Sequence, residues 1–187
     1  MSSLSLRNPE SGAACDIELG QGATVAIEAA TPGGLDALLE QVLQQVPQSQ
    51  VAHGVGGMVS NINVLENIAL PAIYHGLARS REFDARVLEG FAACGLDGEQ
   101  TEELCRQRPG DLGPFDKRLA GFVRCLLMRP EVLVYSRFFE GLTVPDTQRA
   151  MALDGVYHRR HPQGTSIYLV LSNMPEQPPS CDQRHVT

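Results

Sequence analysis

The sequence predicts an α/β protein with a mostly parallel sheet, and three observations support this class. Short apolar runs at residues 23–27 (ATVAI), 132–135 (VLVY) and 167–171 (IYLVL) are typical of buried strands. Amphipathic helical patterns lie between these runs, and strands that alternate with helices indicate a parallel sheet. Residues from about 62 to 113 carry helical patterns and no good strand, which predicts a helical insertion inside the α/β core.

Composition and charge narrow the class of protein. The chain has 187 residues, of which 43% are hydrophobic and 20% charged, as expected for one folded domain. Its net charge of −7 argues against a nucleic-acid-binding protein. The five cysteines are scattered without a C-x-x-C pair, which argues against a zinc site or a disulfide framework and predicts reduced thiols. With no apolar signal-peptide core and no run of about 20 apolar residues, we expect a cytoplasmic chain.

The first third of the chain predicts strands followed by one helix. Residues 4–19 alternate loosely and suit one or two edge strands, and the buried strand at 23–27 leads into a turn at 31–34 (TPGG). A helix should follow and end at Pro47, and the glycine-rich residues 51–60 should form a short strand running into a loop. The apolar stripe of this helix consists of Leu35, Leu38, Leu39, Val42 and Leu43.

The middle of the chain predicts three helices. Asn63 precedes Glu66 by three residues, which is the pattern of a capping box at a helix start. Pro71 is expected to kink or end that helix. Residues 83–96 and 99–106 predict two further helices.

The last third predicts two helices and a tail. A helix with an apolar stripe should end at Pro130, and another should run from about Pro145 to His161. The segment 158–161 (HRRH) is interpreted as a basic helix end that complements the helix dipole rather than as a phosphate site. The last dozen residues predict a loose tail. The residues predicted to be core are Val25, Ile27, Leu38, Leu39, Leu119, Phe122, Leu126, Val132, Val134, Ile167, Leu169 and Leu171.

Four segments, in order, resemble the nucleotide-binding domain of ABC transporters. Residues 64–71 (VLENIALP) resemble the segment after the Q-loop, and residues 118–135 resemble the helix after the signature motif with the Walker B strand. Residues 139–142 (FEGL) stand where that family has F-x-G-L-D, and residues 166–173 resemble the strand that ends in the switch histidine. The first segment, followed by Tyr-His-Gly, is most similar to ATPases of phospholipid or solvent-resistance transporters of the MCE or Mla type.

This resemblance implies a P-loop NTPase-like fold with an inserted helical subdomain. The domain would have its core at residues 1–61 and 114–174, its helical subdomain at 62–113 and a loose tail at 175–187. The implied partner is an ABC permease or a competent ATPase subunit, and no nucleic acid. The chain would then reach the inner membrane only through that partner.

The phosphate-binding motif of the family is not retained. ABC ATPases carry G-x-x-x-x-G-K-[ST], in which backbone amides and the lysine hold the phosphates and the hydroxyl holds Mg²⁺. Alignment on the following helix places Gly33 and Gly34 at the end of this loop, as either an anion nest or a plain strand-to-helix turn. Leu35 then stands at the lysine position and Asp36 at the Ser/Thr position. Leucine cannot neutralise a phosphate, and Asp36 would repel one.

The other catalytic positions have also changed. Ser136 and Arg137 stand where the Walker B motif has its Mg²⁺-binding Asp and its catalytic Glu, and Asn173 replaces the switch histidine. There is no Q-loop glutamine before Ser60, and no aromatic residue precedes Tyr74 to stack on adenine. At the positions of the family's signature loop, this chain has Leu112, Gly113, Lys117 and Arg118. The last two are interpreted as solvated charges at a helix start or, alternatively, as anion contacts.

These substitutions predict an ABC ATP-binding-protein-like subunit without catalytic residues or a metal site. It would be a non-catalytic or regulatory partner in a transport system of the lipid-transport type, to which ATP and Mg²⁺ do not bind tightly. Two alternatives remain: a weak or unconventional nucleotide-binding ATPase, and a decayed paralogue without selected activity. We also expect Leu35→Lys, Asp36→Ser, Ser136→Asp and Arg137→Glu together to raise Mg-ATP affinity, provided that the glycine turn directs its amides at the site.

Overall fold

The structure is a computed structural model, and it describes residues 2–54, 57–74, 81–173 and 181–187. Its main sheet has five parallel strands in the order β4-β5-β6-β3-β7. The strands of this sheet are β3 (Thr24–Ala29), β4 (Gln50–His53), β5 (Val132–Ser136), β6 (Thr165–Leu171) and β7 (Gln183–Val186). A separate antiparallel hairpin consists of β1 (Ser2–Arg7) and β2 (Ala14–Leu19). The predicted α/β class with a mostly parallel sheet is confirmed.

Six α-helices are present in the described residues. They are α1 (Pro32–Gln45), α2 (Val64–Tyr74), α3 (Arg81–Ala93), α4 (Gly98–Arg106), α5 (Pro114–Leu127) and α6 (Val144–Arg160), with a 3₁₀ turn at Pro109–Asp111. Between β4 and β5, the part of the chain that the structure describes is helical and contains no strand, as predicted. Val64 and Phe91 of this block nevertheless share one core with Leu133 of the sheet. The boundaries of a separate helical subdomain therefore stay a prediction. None of the described helices is both long enough and apolar enough to cross a bilayer.

Helix α2 begins as predicted, and it continues past Pro71, so that of the two expected effects of this proline the helix end is not observed. The Asn63 side chain accepts from the Glu66 amide at 2.8 Å, and the Glu66 carboxylate accepts from the Asn63 amide at 2.9 Å, which completes a capping box. Pro71 lies inside the helix, which continues to Tyr74. Ile68 and Ala72 are buried on either side of the proline, and this packing outweighs the lost backbone hydrogen bond.

The sheet has a hydrophobic core on each face. The β1–β2 hairpin and α1 cover one face, and most of the remaining helices cover the other. Ten of the twelve predicted core residues are buried, whereas Leu39 and Leu171 are partly buried. The stripe on α1 is narrower than predicted, because Leu43 at its margin is 40% exposed.

The prediction of a loose tail was wrong for residues 183–186. They form β7, which pairs in parallel with β3, and the amide of Asp182 donates to the Thr24 carbonyl at 2.8 Å. Without β7, the buried strand β3 would have one row of backbone N–H and C=O groups without partners. Pairing with these groups therefore stabilises residues 183–186 as a strand, although they contain no apolar run. Residues 174–180 of the predicted tail lie outside the described residues.

Candidate functional site

A cleft lies where the carboxyl ends of β4 and β5 approach the start of α1. Parallel α/β sheets commonly bind ligands at this edge. The cleft has a volume of about 190 Å³ and is lined by Asp36, His53, Gly54, Arg118, Ser136, Arg137 and Glu140. Four of these are among the site positions predicted from the sequence (Asp36, Arg118, Ser136 and Arg137), whereas His53, Gly54 and Glu140 are not. The predicted site position Asn173 lies exposed in the turn after β6 and does not line the cleft.

The connection between β3 and α1 is too short to enclose a phosphate. Only Ala30 and Thr31 separate the strand from the helix. Thr31 is the N-cap, and its hydroxyl accepts from the Gly34 amide at 3.0 Å. Gly33 and Gly34 therefore belong to the first helical turn and not to a loop. Of the two interpretations of these glycines, the structure has the plain strand-to-helix transition.

A carboxylate from the β1–β2 hairpin loop already lies at the start of α1. The Thr31 hydroxyl donates to Glu10, and a Cβ added to Gly33 would lie 2.7 Å from Glu10 Oε1. The Glu10 amide donates to the buried Asn8 side chain at 3.0 Å, which fixes the loop. A negative charge near a helix N-terminus is favourable. Because Glu10 already provides it, a phosphate approaching the same helix end would meet a like charge.

Leu35 does not face the cleft, which corrects the expectation drawn from the alignment. Its side chain is fully buried in the core between α1 and the hairpin, together with Leu4, Leu6 and Leu38. The next residue, Asp36, faces the cleft. Successive helical residues point in different directions, so a lysine at position 35 would enter the hydrophobic core. The proposed restoration of a phosphate-binding lysine at this position therefore rested on a wrong orientation.

An internal ion pair neutralises the cation at the end of β5. Ser136 is buried, and Arg137 directly after it has a left-handed backbone with φ of +53°. Arg137 Nε donates to both carboxylate oxygens of Glu140, at 2.8 and 2.9 Å. This hydrogen bonding to Glu140 raises the pKa of Arg137. The end of β5 therefore offers a buried hydroxyl and a guanidinium that is already paired.

Arg118 is a buried structural cation rather than a solvated charge, which corrects the favoured interpretation. Its Nε donates to the Phe138 carbonyl at 2.6 Å, its Nη1 to the Pro114 carbonyl at 2.8 Å, and its Nη2 to the Glu140 carbonyl. Burial lowers the pKa of this guanidinium. Arg118 thus ties α5 to the segment after β5. The other signature-loop positions are the buried Leu112, the α5 N-cap Gly113 and the half-buried Lys117.

His53 completes the wall of the cleft at the end of β4. Burial lowers the pKa of its half-buried imidazole, and the nearby charge of Arg124 lowers it further. The ring is therefore mainly uncharged at neutral pH. Two acidic side chains, Asp36 and Glu140, are balanced by two arginines in the lining, and no net positive charge is left to attract a triphosphate.

Gly54 is required by a close approach of two backbones in the cleft. Its amide donates to the Ser136 carbonyl at 3.0 Å, and a Cβ at this position would lie 2.1 Å from the Arg137 carbonyl oxygen. We expect Gly54→Ala to lower the free energy of unfolding by about 1 to 3 kcal/mol, because the backbone must move. Urea unfolding measures this loss. Gly98→Ala is the control, since no atom lies within 4 Å of the added methyl; equal stability losses in both variants would contradict the prediction.

Comparison with solved structures identifies the fold. The fold is that of an ABC ATPase. The chain is similar to cbiO1 from Clostridium perfringens, part of the ABC transporter complex cbiONQ, with a TM-score of 0.71 and 16% identity over 98% of this chain and 81% of that one. It is also similar to a chain described as belonging to a metal-chelate type ABC transporter in an inward-facing conformation, with a TM-score of 0.69 and 11% identity over 89% of this chain and 70% of that one. The sequence matches no protein-family model and no curated protein.

The start of α1 and the end of β5 are the two places where the alignment puts the Mg-ATP contacts of ABC ATPases. The start of α1 offers a capped helix and the Glu10 carboxylate instead of a phosphate loop. The end of β5 offers Ser136 and the paired Arg137 instead of metal-binding and water-orienting carboxylates. Within residues 2–54, 57–74, 81–173 and 181–187, no three or more His, Cys, Asp or Glu side chains are placed to hold a metal ion.

Proposed function

We propose that this protein is a non-catalytic, ABC ATPase-like subunit that acts by binding a partner protein of a transport system. The observation that carries the proposal is the two-residue connection between β3 and α1, closed by Thr31 and faced by Glu10. An ABC ATPase contacts phosphates mainly through backbone amides of this connection. A chain that lacks the loop has lost the group of contacts on which nucleotide affinity most depends.

The cleft supports the same proposal through its charges. Glu140 binds the lining residue Arg137, whereas backbone carbonyls hold Arg118, and Asp36 adds a further negative charge at the start of α1. A triphosphate entering the cleft would have to break the Arg137–Glu140 pair and approach both carboxylates. Each of these steps opposes binding.

The surface of α2 supports a role in partner binding. Leu70, Ile73 and Tyr74 follow the helical spacing i, i+3 and i+4 and are 38%, 52% and 87% exposed. Adjacent exposed apolar side chains on one helix face are typical of a surface that contacts another protein. We propose that this surface binds an ABC permease or a competent ATPase subunit and so holds the chain at the inner membrane. The lipid-transport type of that system rests on residues 64–71, which form the start of the same helix.

The first experiment measures nucleotide binding directly. We expect no thermal shift of the wild-type chain in millimolar Mg-ATP, whereas a ligand at 100 times its Kd would add about 2.7 kcal/mol of stability. The Glu10→Gln variant, which lacks the negative charge at the start of α1, is measured in the same thermal-shift assay. A clear shift in the wild type, confirmed by calorimetric titration, would overturn the proposal in favour of a weak nucleotide-binding ATPase.

The second experiment tests the partner surface. We expect affinity capture with the wild-type chain to recover a permease or an ATPase subunit of a transporter, and Ile73→Asp to abolish that recovery, because a charge would lie in an apolar interface. Leu43→Asp is the matched control, since Leu43 is a similarly exposed leucine on a different helix. Failure of the wild-type chain to recover any transporter subunit would count against the proposed surface. Equal recovery by the wild type, Ile73→Asp and Leu43→Asp would also count against it.

A further inference from the structure

A group of arginines lies where α5 and α6 end beside α3. Arg129 comes just before β5 begins, and Arg160 comes just before β6 begins. The group therefore lies at the amino ends of these strands, whereas the cleft lies at the carboxyl ends of β4 and β5. We call the group the arginine surface, and it consists of Arg86, Arg129, Arg159 and Arg160.

Two of the four arginines connect helices through backbone carbonyls. Arg86 Nη2 of α3 donates to the Leu127 carbonyl at the end of α5 at 2.9 Å. Arg160 Nη2 of α6 donates to the Glu89 carbonyl of α3 at 2.8 Å. Cations are favourable near the carboxyl end of a helix, so both contacts agree with the interpretation of residues 158–161 as a basic helix end. These two arginines have a structural role.

The other two arginines, Arg129 and Arg159, are exposed and do not connect helices in this way. Among the residues that the structure describes, neither guanidinium group makes a hydrogen bond or an ion pair. Glu89 and Glu131 belong to the same segments, but in that part of the chain neither carboxylate pairs with an arginine of the surface. The described residues therefore leave both positive charges without a direct counterion.

Neighbouring titratable groups indicate a positive potential at the arginine surface. Burial lowers the pKa of the His161 imidazole, and the nearby charges of Arg129 and Arg160 lower it further. Burial raises the pKa of Cys94, directly after α3, to about 12, and the charges of Arg160 and Arg159 oppose that rise. Like charges held close together repel each other. The surface is thus a local cluster of positive charge in a chain with a net charge of −7.

Arg129 occupies a backbone position that favours glycine. It is the second residue after α5, its φ is +51°, and its amide donates to the Leu126 carbonyl at 3.2 Å. Helices often end in this left-handed conformation, and the residue is usually glycine because a Cβ crowds the following carbonyl. An arginine at this position costs stability and places a guanidinium group on the surface, as expected of a residue that binds a ligand.

We propose that the arginine surface binds an acidic segment of a partner protein, in which several Asp or Glu carboxylates lie side by side. Arg129 and Arg159 would contact these carboxylates directly, and Arg86 and Arg160 would add to the attraction. Anionic lipid fits less well, because a negatively charged bilayer would repel a chain whose net charge is −7. This inference goes beyond the proposed function and does not depend on it, since it concerns a surface other than that of α2.

Binding of a fluorescent polyglutamate peptide, measured by anisotropy at low ionic strength, tests the surface. We expect the wild-type chain to bind the peptide, and Arg129→Gly and Arg159→Gln each to raise the Kd about 2- to 5-fold, because each removes an exposed charge. Arg106→Gln is the matched control, since it changes the net charge equally but Arg106 is already paired with Glu102. Its Kd should equal that of the wild type. Equal affinity of all four chains, or no binding by the wild type, would overturn the proposal.

Urea unfolding separates a binding role of Arg129 from a structural one. We expect Arg129→Gly to raise the folding equilibrium constant about 2- to 5-fold while it weakens peptide binding, because glycine adopts the left-handed backbone without a steric cost. A loss of stability in this variant would assign Arg129 to the fold and overturn the proposal.

Vesicles of phosphatidylglycerol distinguish a membrane from a protein partner. We expect the wild-type chain not to sediment with these vesicles at the same ionic strength. Sedimentation that is lost in Arg129→Gly and Arg159→Gln but retained in Arg106→Gln would overturn the proposal and assign the arginine surface to anionic lipid.

Discussion

Leu35→Lys is expected to lower the free energy of unfolding by about 3 to 5 kcal/mol, as judged by urea unfolding. The leucine is fully buried in the core between α1 and the hairpin. Substitution both removes a core side chain and places an ammonium group among apolar neighbours. The lysine could reduce part of this loss only by losing its proton or by disturbing the hairpin.

The matched control for this variant is Leu43→Lys on the same helix. Leu43 is 40% exposed, so its replacement should change the free energy of unfolding by less than about 1 kcal/mol. If Leu35→Lys were as stable as Leu43→Lys, the side chain at position 35 would be directed toward the cleft after all. A gain in Mg-ATP affinity in the stable variant would confirm that alternative orientation.

Arg118→Met is expected to cost about 3 to 5 kcal/mol, because it leaves three carbonyl oxygens without their donor in a buried site. Methionine replaces the unbranched apolar stem of arginine but not its guanidinium, so the loss reports mainly the hydrogen bonds. Arg118→Lys should restore only part of the stability, since a single ammonium group cannot reproduce the planar arrangement of the guanidinium donors.

The control for Arg118 is Arg106→Met. Arg106 is 76% exposed and pairs with Glu102 on the surface of α4. Its replacement should change the free energy of unfolding by no more than about 0.5 kcal/mol. Urea unfolding compares the two variants, and a loss at position 118 as small as that at position 106 would show that the segment after β5 does not depend on Arg118.

Periodicity predicted most of the fold from the sequence. The strands at residues 132–135 and 167–171 are continuous apolar runs, and the helices carry stripes or caps such as Asn63 with Glu66. These signals are local, so one sequence is sufficient to read them. Strand β7 has no such signal, because its position depends on pairing with β3, which is distant along the chain.

The contents of the candidate site were less predictable for the same reason. The alignment assigned family positions to residues of α1, but it could not show that the helix directs Leu35 inward and Asp36 toward the cleft. The placement of Glu10 beside Thr31 depends on how the hairpin packs against the helix. A sequence signal did exist for Arg137 and Glu140, since opposite charges three residues apart often pair, but it gave no indication of the cleft.

The place of β3 in the sheet has a consequence for how the chain folds during its synthesis. Strand β3 lies between β6 and β7, and its residue Thr24 pairs with Ser166. Both neighbours are translated about 140 residues or more after β3. At bacterial to eukaryotic elongation rates, roughly 7 to 28 s therefore pass before either neighbour can pair with β3. During this interval, the hairpin and α1 can cover only one face of the strand. The emerging chain therefore has an exposed apolar strand that a ribosome-associated chaperone would be expected to bind.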